Sequence, residues 1–272
     1  MAALEEYLKA NQKRWDQLVN DHKDSPFYDL EGFKKGKDRL RSIELNELGD
    51  ITGKSLLHLQ CHFGMDTLAW ARRGAKVTGV DFSPEAIDLA KALSRDLDIP
   101  AQFYCTDIYQ LPNVLSAEFD IVFSSYGVLH GLPDLGQWGE MIAHFLKAGG
   151  IFYIVEDHPT FRIFREKPGG NFQAERSYFF SEEPQKIVAK GSYATKEGGT
   201  TGVSYVWDHS IGEIINSLVN AGLMIEYLHE YPFAARAKFS FMEQGEDGWW
   251  YLPPDQHGTI PFLFSLQARK QQ

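Results

Sequence analysis

The feature that most constrains this chain is a regular alternation of short apolar segments with helical patterns between residues 55 and 155. Apolar, β-branched runs predict strands at 55–61, 76–82, 102–106, 119–125 and 151–155. One intervening segment places its large side chains at helical spacing on one face, namely Trp138, Met141, Ile142, Phe145 and Leu146. Because strands that alternate with helices form parallel sheets covered on both faces, the chain is predicted to be a doubly wound α/β protein.

The flanking segments complete this prediction. Helices are expected at 3–20 and 31–48, and after Ser210, which forms a capping box with Glu213. Strands are expected at 223–228 and 260–268, the last one antiparallel, which gives a seven-stranded, mostly parallel sheet. We therefore divide the chain into an N-terminal helical lid at 1–50 and a main domain at 51–272. The main domain is expected to carry two insertions, a cap at 159–206 and a second segment at 232–257.

The charge of the chain limits its partners. The net charge is −10, and the densest basic cluster is predicted to be a solvated helix face: Lys34, Lys35, Lys37, Arg39 and Arg41. We therefore expect no nucleic-acid partner. The absence of an apolar run of about 18–20 residues or a leader pattern predicts a cytoplasmic protein without a membrane partner, either a monomer or a homodimer.

Two cysteines, Cys61 and Cys105, are too few for a disulfide framework or a zinc site, and no metal is expected. Both lie in strand-like runs, which predicts buried thiols.

A ligand site is expected at the carboxyl ends of the strands, where the strand order reverses. Asp81 ends the second predicted strand, 17 residues after Gly64. A carboxylate at this place accepts hydrogen bonds from ribose hydroxyls, and its charge disfavours a cofactor with a ribose 2′-phosphate.

Three motifs carry a family resemblance. The segments HLQCHFG, GVDFSPEAI and FDIVFSSYGVLHGLPD together resemble the motif series of class I S-adenosylmethionine-dependent methyltransferases, most closely a bacterial subgroup whose first motif reads LHLQCHFGMDTL. The resemblance covers 53–158 and extends to WDHSIGEIINSLVNAGL. It implies a Rossmann-like methyltransferase fold, S-adenosyl-L-methionine as cofactor, S-adenosyl-L-homocysteine as product, and a small-molecule acceptor.

The first motif departs from the family pattern. Gln60 and His62 stand where the first two glycines of the usual G-x-G-x-G turn are found, His58 replaces an acidic residue, and Gly64 alone remains. The turn is therefore expected to be held by side chains of Gln60, His62 or Asp66. Asp66 either contacts the methionine moiety of the cofactor or caps the following helix, and these two roles are compatible.

The resemblance also implies roles for other residues. Asp107 accepts a hydrogen bond from the adenine amino group, Ile108 packs on the ring, and Phe82 lies beside the ribose or adenine. Ser125 and Tyr126 flank the sulfonium, and Cys61 and Met65 belong to the binding turn. Four residues of the N-terminal region are candidates for closing the site: Trp15, His22, Tyr28 and Phe33, of which Tyr28 is expected to touch the cofactor.

Residues at the mouth of the sheet are the candidates for a general base. His158 and Glu156 share one side of an extended strand by their spacing, and His130 follows the fourth strand. Each is open to a structural role instead. The aromatic runs 178–180 and 249–251 either line an apolar substrate pocket or form local core beneath long loops.

Three other functions compete with small-molecule methylation. A nucleotide-dependent dehydrogenase requires a glycine-rich first turn. An RNA or protein methyltransferase would show a basic face or an Asn-Pro-Pro-Tyr-type motif, where this chain has Ser124, Ser125 and Tyr126. A non-catalytic scaffold that binds the cofactor remains the third alternative.

Overall fold

The computed structural model describes residues 2–195 and 199–272. Its α-helices are α1 (Ala2–Lys23), α2 (Leu30–Lys34), α3 (Ser42–Leu48), α4 (Met65–Arg72), α5 (Pro84–Asp96), α6 (Leu135–Phe145), α7 (Pro159–Ile163) and α8 (Ile211–Asn220), with 3₁₀ helices at Ile108–Asn113 and Leu129–Gly131. Its strands are β1 (Ser55–Leu59), β2 (Lys76–Asp81), β3 (Ala101–Cys105), β4 (Phe119–Ser125), β5 (Leu146–Asp157), β6 (Phe164–Lys167), β7 (Asn171–Ala174), β8 (Gln185–Lys190), β9 (Thr201–Val206), β10 (Leu223–Tyr231), β11 (Phe233–Ala234), β12 (Glu243–Gln244), β13 (Trp250–Tyr251) and β14 (Leu263–Lys270).

Seven strands form the main sheet in the order β10-β14-β5-β4-β1-β2-β3. The pairs β1–β2, β2–β3, β1–β4 and β4–β5 are parallel, whereas β14 is antiparallel to both β5 and β10. The predicted seven-stranded, mostly parallel, doubly wound sheet with an antiparallel last strand is confirmed. Since β1 has β2 on one side and β4 on the other, the strand order reverses there, and this is where such sheets bind ligands.

Alternate side chains of the central strands bury two separate cores. Phe152 faces the layer of α6 and α8, where it packs near Trp138, and Tyr153 faces the layer of α4 and α5, which contains Trp70. All four side chains are completely buried. Because successive residues of a strand point to opposite faces, one continuous apolar run supplies both cores.

The helix starts follow the predicted capping. The Ser83 hydroxyl accepts the Ala86 N–H at 3.1 Å and Pro84 opens α5, while Ser210 and Glu213 cap α8 reciprocally. The longest helix, α1, is polar, and across the described ranges no helix is long and apolar enough to cross a bilayer.

Four predictions were wrong in detail. The helix expected at 31–48 is two helices, because the chain turns at Gly36, whose φ is +100°. Helix α6 ends at Phe145 rather than at the glycine pair, which lies inside β5 beside a register shift. Cys105 is exposed, whereas Cys61 is buried as expected. The strand expected at 55–61 ends at Leu59.

The two segments predicted to be insertions contain their own strands. The segment 159–206 contains α7 and the hairpins β6–β7 and β8–β9, and β9 packs against α1. The segment 232–257 contains a small sheet in the order β11-β13-β12. Residues 196–198 of the first insertion lie outside the described part of the chain.

Candidate functional site

A cavity lies at the carboxyl ends of the parallel strands, with an empty volume of about 1290 Å³ that includes its open mouth. Its lining comes mainly from the loops after β1, β2, β3 and β4 and from helix α1. Residues 27–28, 39, 41, 193 and 235–236 complete it. Every residue predicted to bind the cofactor lines it: Tyr28, Gln60, Cys61, His62, Gly64, Met65, Asp66, Asp81, Phe82, Asp107, Ile108, Ser125 and Tyr126. The structure therefore brings the predicted set together in one place.

Asp81 is a buried carboxylate at the end of β2. Its Oδ2 accepts the His62 N–H at 2.8 Å and its Oδ1 accepts the Ser83 N–H at 2.9 Å. Burial raises the pKa of Asp81 to about 6, although these backbone donors oppose the shift. A carboxylate has about four lone-pair positions, so both oxygens keep acceptor capacity for a pair of hydroxyls. This pair of acceptor oxygens fits the two hydroxyls of the ribose of an adenosyl group.

The turn after β1 has left-handed backbone at three positions, although only Gly64 among them is a glycine. Gln60, His62 and Gly64 have φ values of +54°, +50° and +76°, which are left-handed at all three positions. The side chains brace the turn: Gln60 Nε2 donates to the Val128 carbonyl at 3.1 Å, and His62 Nε2 lies 2.9 Å from His22 Nδ1. Gln60 and His62 thus adopt a conformation that glycine accepts without strain and that is costly for a residue with a Cβ.

Gly64 is the position at which a side chain has no room. A Cβ on Gly64 would lie 2.8 Å from ring carbons of Phe103 and 3.0 Å from Ala90 Cβ. These neighbours belong to the core behind the turn, so the requirement for glycine comes from the packing of the sheet as well as from φ.

A chain of polar contacts crosses the floor of the cavity. His58 Nδ1 lies 2.8 Å from the Thr67 hydroxyl, and the Ser125 hydroxyl donates to Asp66 Oδ2 at 3.2 Å. Asp66 Oδ1 lies 3.4 Å from Arg39 Nε. Burial lowers the pKa of His58 to about 4, so this histidine is neutral at physiological pH.

Asp66 does not cap helix α4. The cap position belongs to Gly64, and Asp66 lies in the first turn with its carboxylate directed to Ser125 and Arg39. Its carboxylate therefore borders the cavity between the ends of β1 and β4, where it is available to a cationic group.

The end of the cavity beside β3 combines a carboxylate with apolar side chains. Asp107 Oδ1 accepts the Tyr109 N–H at 2.8 Å, and burial raises the pKa of Asp107. Ile108 and Phe82 line the cavity on either side. An acceptor beside flat apolar surface is suited to an aromatic base that carries an amino group.

Three arginines of the cavity were missed by the sequence analysis. Arg39, Arg41 and Arg236 all line it, whereas Lys34 and Lys37 form surface ion pairs. The prediction of one solvated basic face was therefore wrong for the two arginines of that cluster. The turn at Gly36 separates them from helix α2 and directs them inward, and the spacing of the residues gives no signal of this.

His130 is the candidate base that reaches the cavity. It lines both the main cavity and a smaller one beside it, and within the described chain its ring makes no hydrogen bond. Burial and the charges of Arg162 and Arg236 hold its pKa well below the usual value, so its imidazole is neutral. A neutral imidazole can accept a proton.

Glu156 does not line the main cavity. Its Oε2 accepts the N–H groups of Val128 and Leu129 at 2.7 and 3.2 Å, and its Oε1 accepts those of Gly127 and Asp157. This carboxylate therefore holds the loop after β4 in place. The predicted catalytic position is corrected to a structural one, because both carboxylate oxygens accept hydrogen bonds from backbone N–H groups of this loop and of Asp157.

His158 also lies outside the main cavity. Its Nδ1 accepts the Thr160 N–H at 3.1 Å at the start of α7, and its Nε2 lies 2.8 Å from Glu230 Oε1. The spacing of Glu156 and His158 predicted a shared role, but the two side chains contact different elements on opposite sides of β5. His158 is thus a helix cap rather than a base at this site.

Two of the four residues predicted to close the site line the cavity, and two lie behind it. Trp15 and Tyr28 line the cavity, His22 is buried behind them and Phe33 belongs to the core. The aromatic runs do not line it: Trp249 is core, and Phe179 is 70% exposed. Tyr193, which was not predicted, lines the cavity with its hydroxyl 2.6 Å from that of Tyr28.

Comparisons with known proteins agree with this geometry. A family described as a methyltransferase domain matches residues 57–154. The chain is 31% identical to a demethylmenaquinone methyltransferase of Lactococcus lactis over 67% of this chain and 72% of the relative, and 33% identical to a magnesium-protoporphyrin O-methyltransferase of Rhodobacter capsulatus over 38% and 46%. It spans about half the length of the latter relative. An S-adenosylmethionine-dependent methyltransferase structure from Mesorhizobium loti has the same fold, with a TM-score of 0.59 at 19% identity over 87% of this chain and 99% of that one. The chain belongs to the S-adenosylmethionine-dependent methyltransferases.

Proposed function

We propose that this protein transfers the methyl group of S-adenosylmethionine to a small organic acceptor held over the ends of β4 and β5. The observation that carries the proposal is the buried Asp81 at the end of β2, bonded to the N–H of His62 in a left-handed turn at the reversal of strand order. The named activities of the relatives, which act on demethylmenaquinone and magnesium-protoporphyrin, support a small acceptor.

The residues of the acidic end bind the adenosyl part of the cofactor in this proposal. Asp81 accepts from the ribose hydroxyls, and Asp107 accepts from the adenine amino group, with Ile108 and Phe82 against the ring. Carboxylates accept and do not donate when ionised, which suits hydroxyl and amino groups.

The middle of the cavity takes the methionyl part. Asp66 accepts from the ammonium group, and Ser125 and Tyr126 lie beside the sulfur. Helix α1 covers the site as a lid: Gln12 Nε2 donates to the Phe82 carbonyl at 2.7 Å, and Trp15 lines the cavity. Exclusion of water by such a cover favours transfer to the acceptor over side reactions.

The bound cofactor supplies a methyl group already activated by the sulfonium, so the protein contributes positioning above all. Where the acceptor atom must lose a proton, His130 is placed to take it, because its neutral ring borders the cavity without another partner in the described chain. Glu156 supports this step indirectly by holding the N–H groups of Val128 and Leu129, just before His130.

Calorimetric titration with S-adenosylmethionine, S-adenosylhomocysteine and NADH tests cofactor choice. We expect the first two to bind and NADH not to bind. Asp81→Asn should weaken binding about tenfold to a hundredfold, since hydrogen bonds to a charged group contribute about 1.5–3 kcal/mol. Asp88→Asn, on the exposed face of α5, is the matched control and should bind normally.

The acceptor class is tested by release of S-adenosylhomocysteine in the presence of separate small-molecule, RNA and protein fractions of a cell extract. Stimulation by the small-molecule fraction is expected. Stimulation by RNA or protein alone would contradict the proposed acceptor class, and cofactor binding with no turnover in any fraction would favour a non-catalytic scaffold.

A further inference from the structure

Arg41 lines the cavity, and no carboxylate of the described residues forms an ion pair with its guanidinium. It precedes helix α3, its guanidinium lies 4.9 Å from the centre of the Trp249 ring, and its Nη2 donates to the Ala235 carbonyl at 3.1 Å. Within residues 2–195 and 199–272, no acidic oxygen lies within 4.0 Å of this guanidinium. The other two arginines of the cavity are paired, Arg39 with Asp66 and Arg236 with Asp157.

The nearby Glu44 does not serve as its counter-ion. One Glu44 oxygen accepts the backbone N–H of Arg41 at 2.7 Å, and the other accepts the hydroxyl of Tyr126 at 2.9 Å. Burial raises the pKa of Glu44 to about 7, so this carboxyl is only partly ionised at neutral pH. A partly buried guanidinium without a full counter-charge is costly, and an anionic ligand removes that cost.

The contacts of Arg41 place its guanidinium on the β5 side of the cavity. Ala235, which it contacts, is followed by Arg236, and Arg236 pairs with Asp157 at the end of β5. Asp81 ends β2, three strands away in the order β5-β4-β1-β2, which is about 14 Å at ordinary strand spacing. The Arg41 guanidinium also lies 5.9 Å from the centre of the Tyr126 ring, which follows β4. Arg41 is therefore on the far side of the cavity from the adenosyl end, next to the position proposed for methyl transfer.

Resting on the proposed function, we propose that the methyl acceptor carries a carboxylate on an apolar or aromatic body, and that Arg41 binds this carboxylate. A guanidinium presents paired donors that match the two oxygens of a carboxylate. The rings of Tyr126 and Tyr193 line the same cavity and supply surface for the body of such a molecule. A monoanion is favoured over a phosphate because a single guanidinium charge is uncompensated.

Calorimetric titration of the protein saturated with S-adenosylhomocysteine tests this assignment. The probes are benzoate, phenylacetate and indole-3-acetate, each with its methyl ester, and inorganic phosphate. At least one acid should bind, and its ester should bind about tenfold to a hundredfold more weakly. Arg41→Gln should weaken binding of the acid by the same factor. Arg41→Lys keeps the charge, so its affinity for the acid should lie between that of Arg41→Gln and that of the wild type.

Arg72→Gln is the matched control. The Arg72 guanidinium also lies over an aromatic ring, 4.1 Å from the centre of Phe33, but it does not line the cavity. Acid binding by this variant should equal that of the wild type. Thermal unfolding of the Arg41 variants, with and without S-adenosylhomocysteine, establishes that they are folded.

Several results would overturn the assignment. These are binding of no acid to the wild-type complex, equal acid binding by Arg41→Gln, or binding of phosphate in place of the acids. A further such result is that Arg41→Gln weakens binding of S-adenosylhomocysteine but not of 5′-methylthioadenosine, which lacks the amino-acid part. In that case Arg41 binds the amino-acid part of the cofactor, and the acceptor assignment is wrong. Failure of the wild type to bind S-adenosylhomocysteine at all is a different result, which removes the proposed function itself.

Discussion

Glycine should be more stabilising than alanine at position 60. Gln60 has a φ of +54° in the turn after β1, where a residue with a Cβ is strained by about 1–2 kcal/mol. Glycine relieves that strain but loses about 0.5–1 kcal/mol more than alanine through its flexibility in the unfolded state. The net expectation is that Gln60→Gly unfolds with a free energy about 1 kcal/mol higher than Gln60→Ala.

The comparison of two variants removes the side-chain contribution. Both substitutions delete the hydrogen bond from Gln60 Nε2 to the Val128 carbonyl, which contributes about 1 kcal/mol, so this loss cancels in their difference. Lys91 is the matched control, because it is exposed in the middle of helix α5. There Lys91→Gly should be about 1 kcal/mol less stable than Lys91→Ala, the opposite sign.

Urea unfolding followed by circular dichroism measures all four variants. The free energy of unfolding of the glycine variant minus that of the alanine variant should be about 2 kcal/mol more positive at position 60 than at position 91. If Gln60→Gly were less stable than Gln60→Ala, the left-handed conformation of this turn would not be the state that the folded protein adopts, and the interpretation of the motif would be wrong.

Three further predictions concern the site and the fold. Burial raises the pKa of Asp81 from 3.8 to about 6, so affinity for S-adenosylhomocysteine should fall below about pH 6 in calorimetry. Protonation of Asp81 should also stabilise the folded protein. This contribution to the free energy of unfolding should be fully present below pH 3.8, the ordinary pKa, and should be lost as the pH rises through about 6. With an acceptor whose reacting atom must lose a proton, His130→Asn should lower kcat by about a hundredfold or more with unchanged cofactor affinity, and single-turnover rates equal to those of the wild type would exclude His130 as the base. Ser210→Ala should lower the unfolding free energy by about 1 kcal/mol in urea, since its hydroxyl accepts the Glu213 N–H of α8.

The parts of the fold that follow from local pattern were predictable from the sequence. Strand β4 (Phe119–Ser125) lies where its apolar run predicts it, and α5 begins at Pro84 after the Ser83 cap. Such signals depend on residues that are close in sequence, so they can be recognised without knowledge of the tertiary structure. Placement of Asp81 and Asp107 in one cavity follows in turn from parallel strands that end at the same edge.

The parts that depend on distant contacts were not predictable. Arg39 has the spacing of a solvated helix residue, yet its guanidinium lies 5.1 Å from the centre of the Tyr28 ring and pairs with Asp66. His158 has the chemistry of a base, but its side chain contacts Thr160 and Glu230, and Glu230 lies in β10, which is paired with β14. Residue type states what a side chain can do, and the long-range packing decides which partner it meets.

The order of the strands also gives the cavity a direction. Asp81 and Asp107 follow β2 and β3 and act only as hydrogen-bond acceptors when ionised, while Arg41 at the opposite end acts only as a donor. A pair of ligands fits such a cavity in one arrangement, with hydroxyl and amino groups towards β2 and β3 and an anionic group towards β5. The reversed arrangement would place donors against the guanidinium and leave the free acceptor positions of Asp81 and Asp107 without ligand donors, which is costly for partly or fully buried carboxylates. Orientation in this protein is thus a consequence of which strand each charged residue follows.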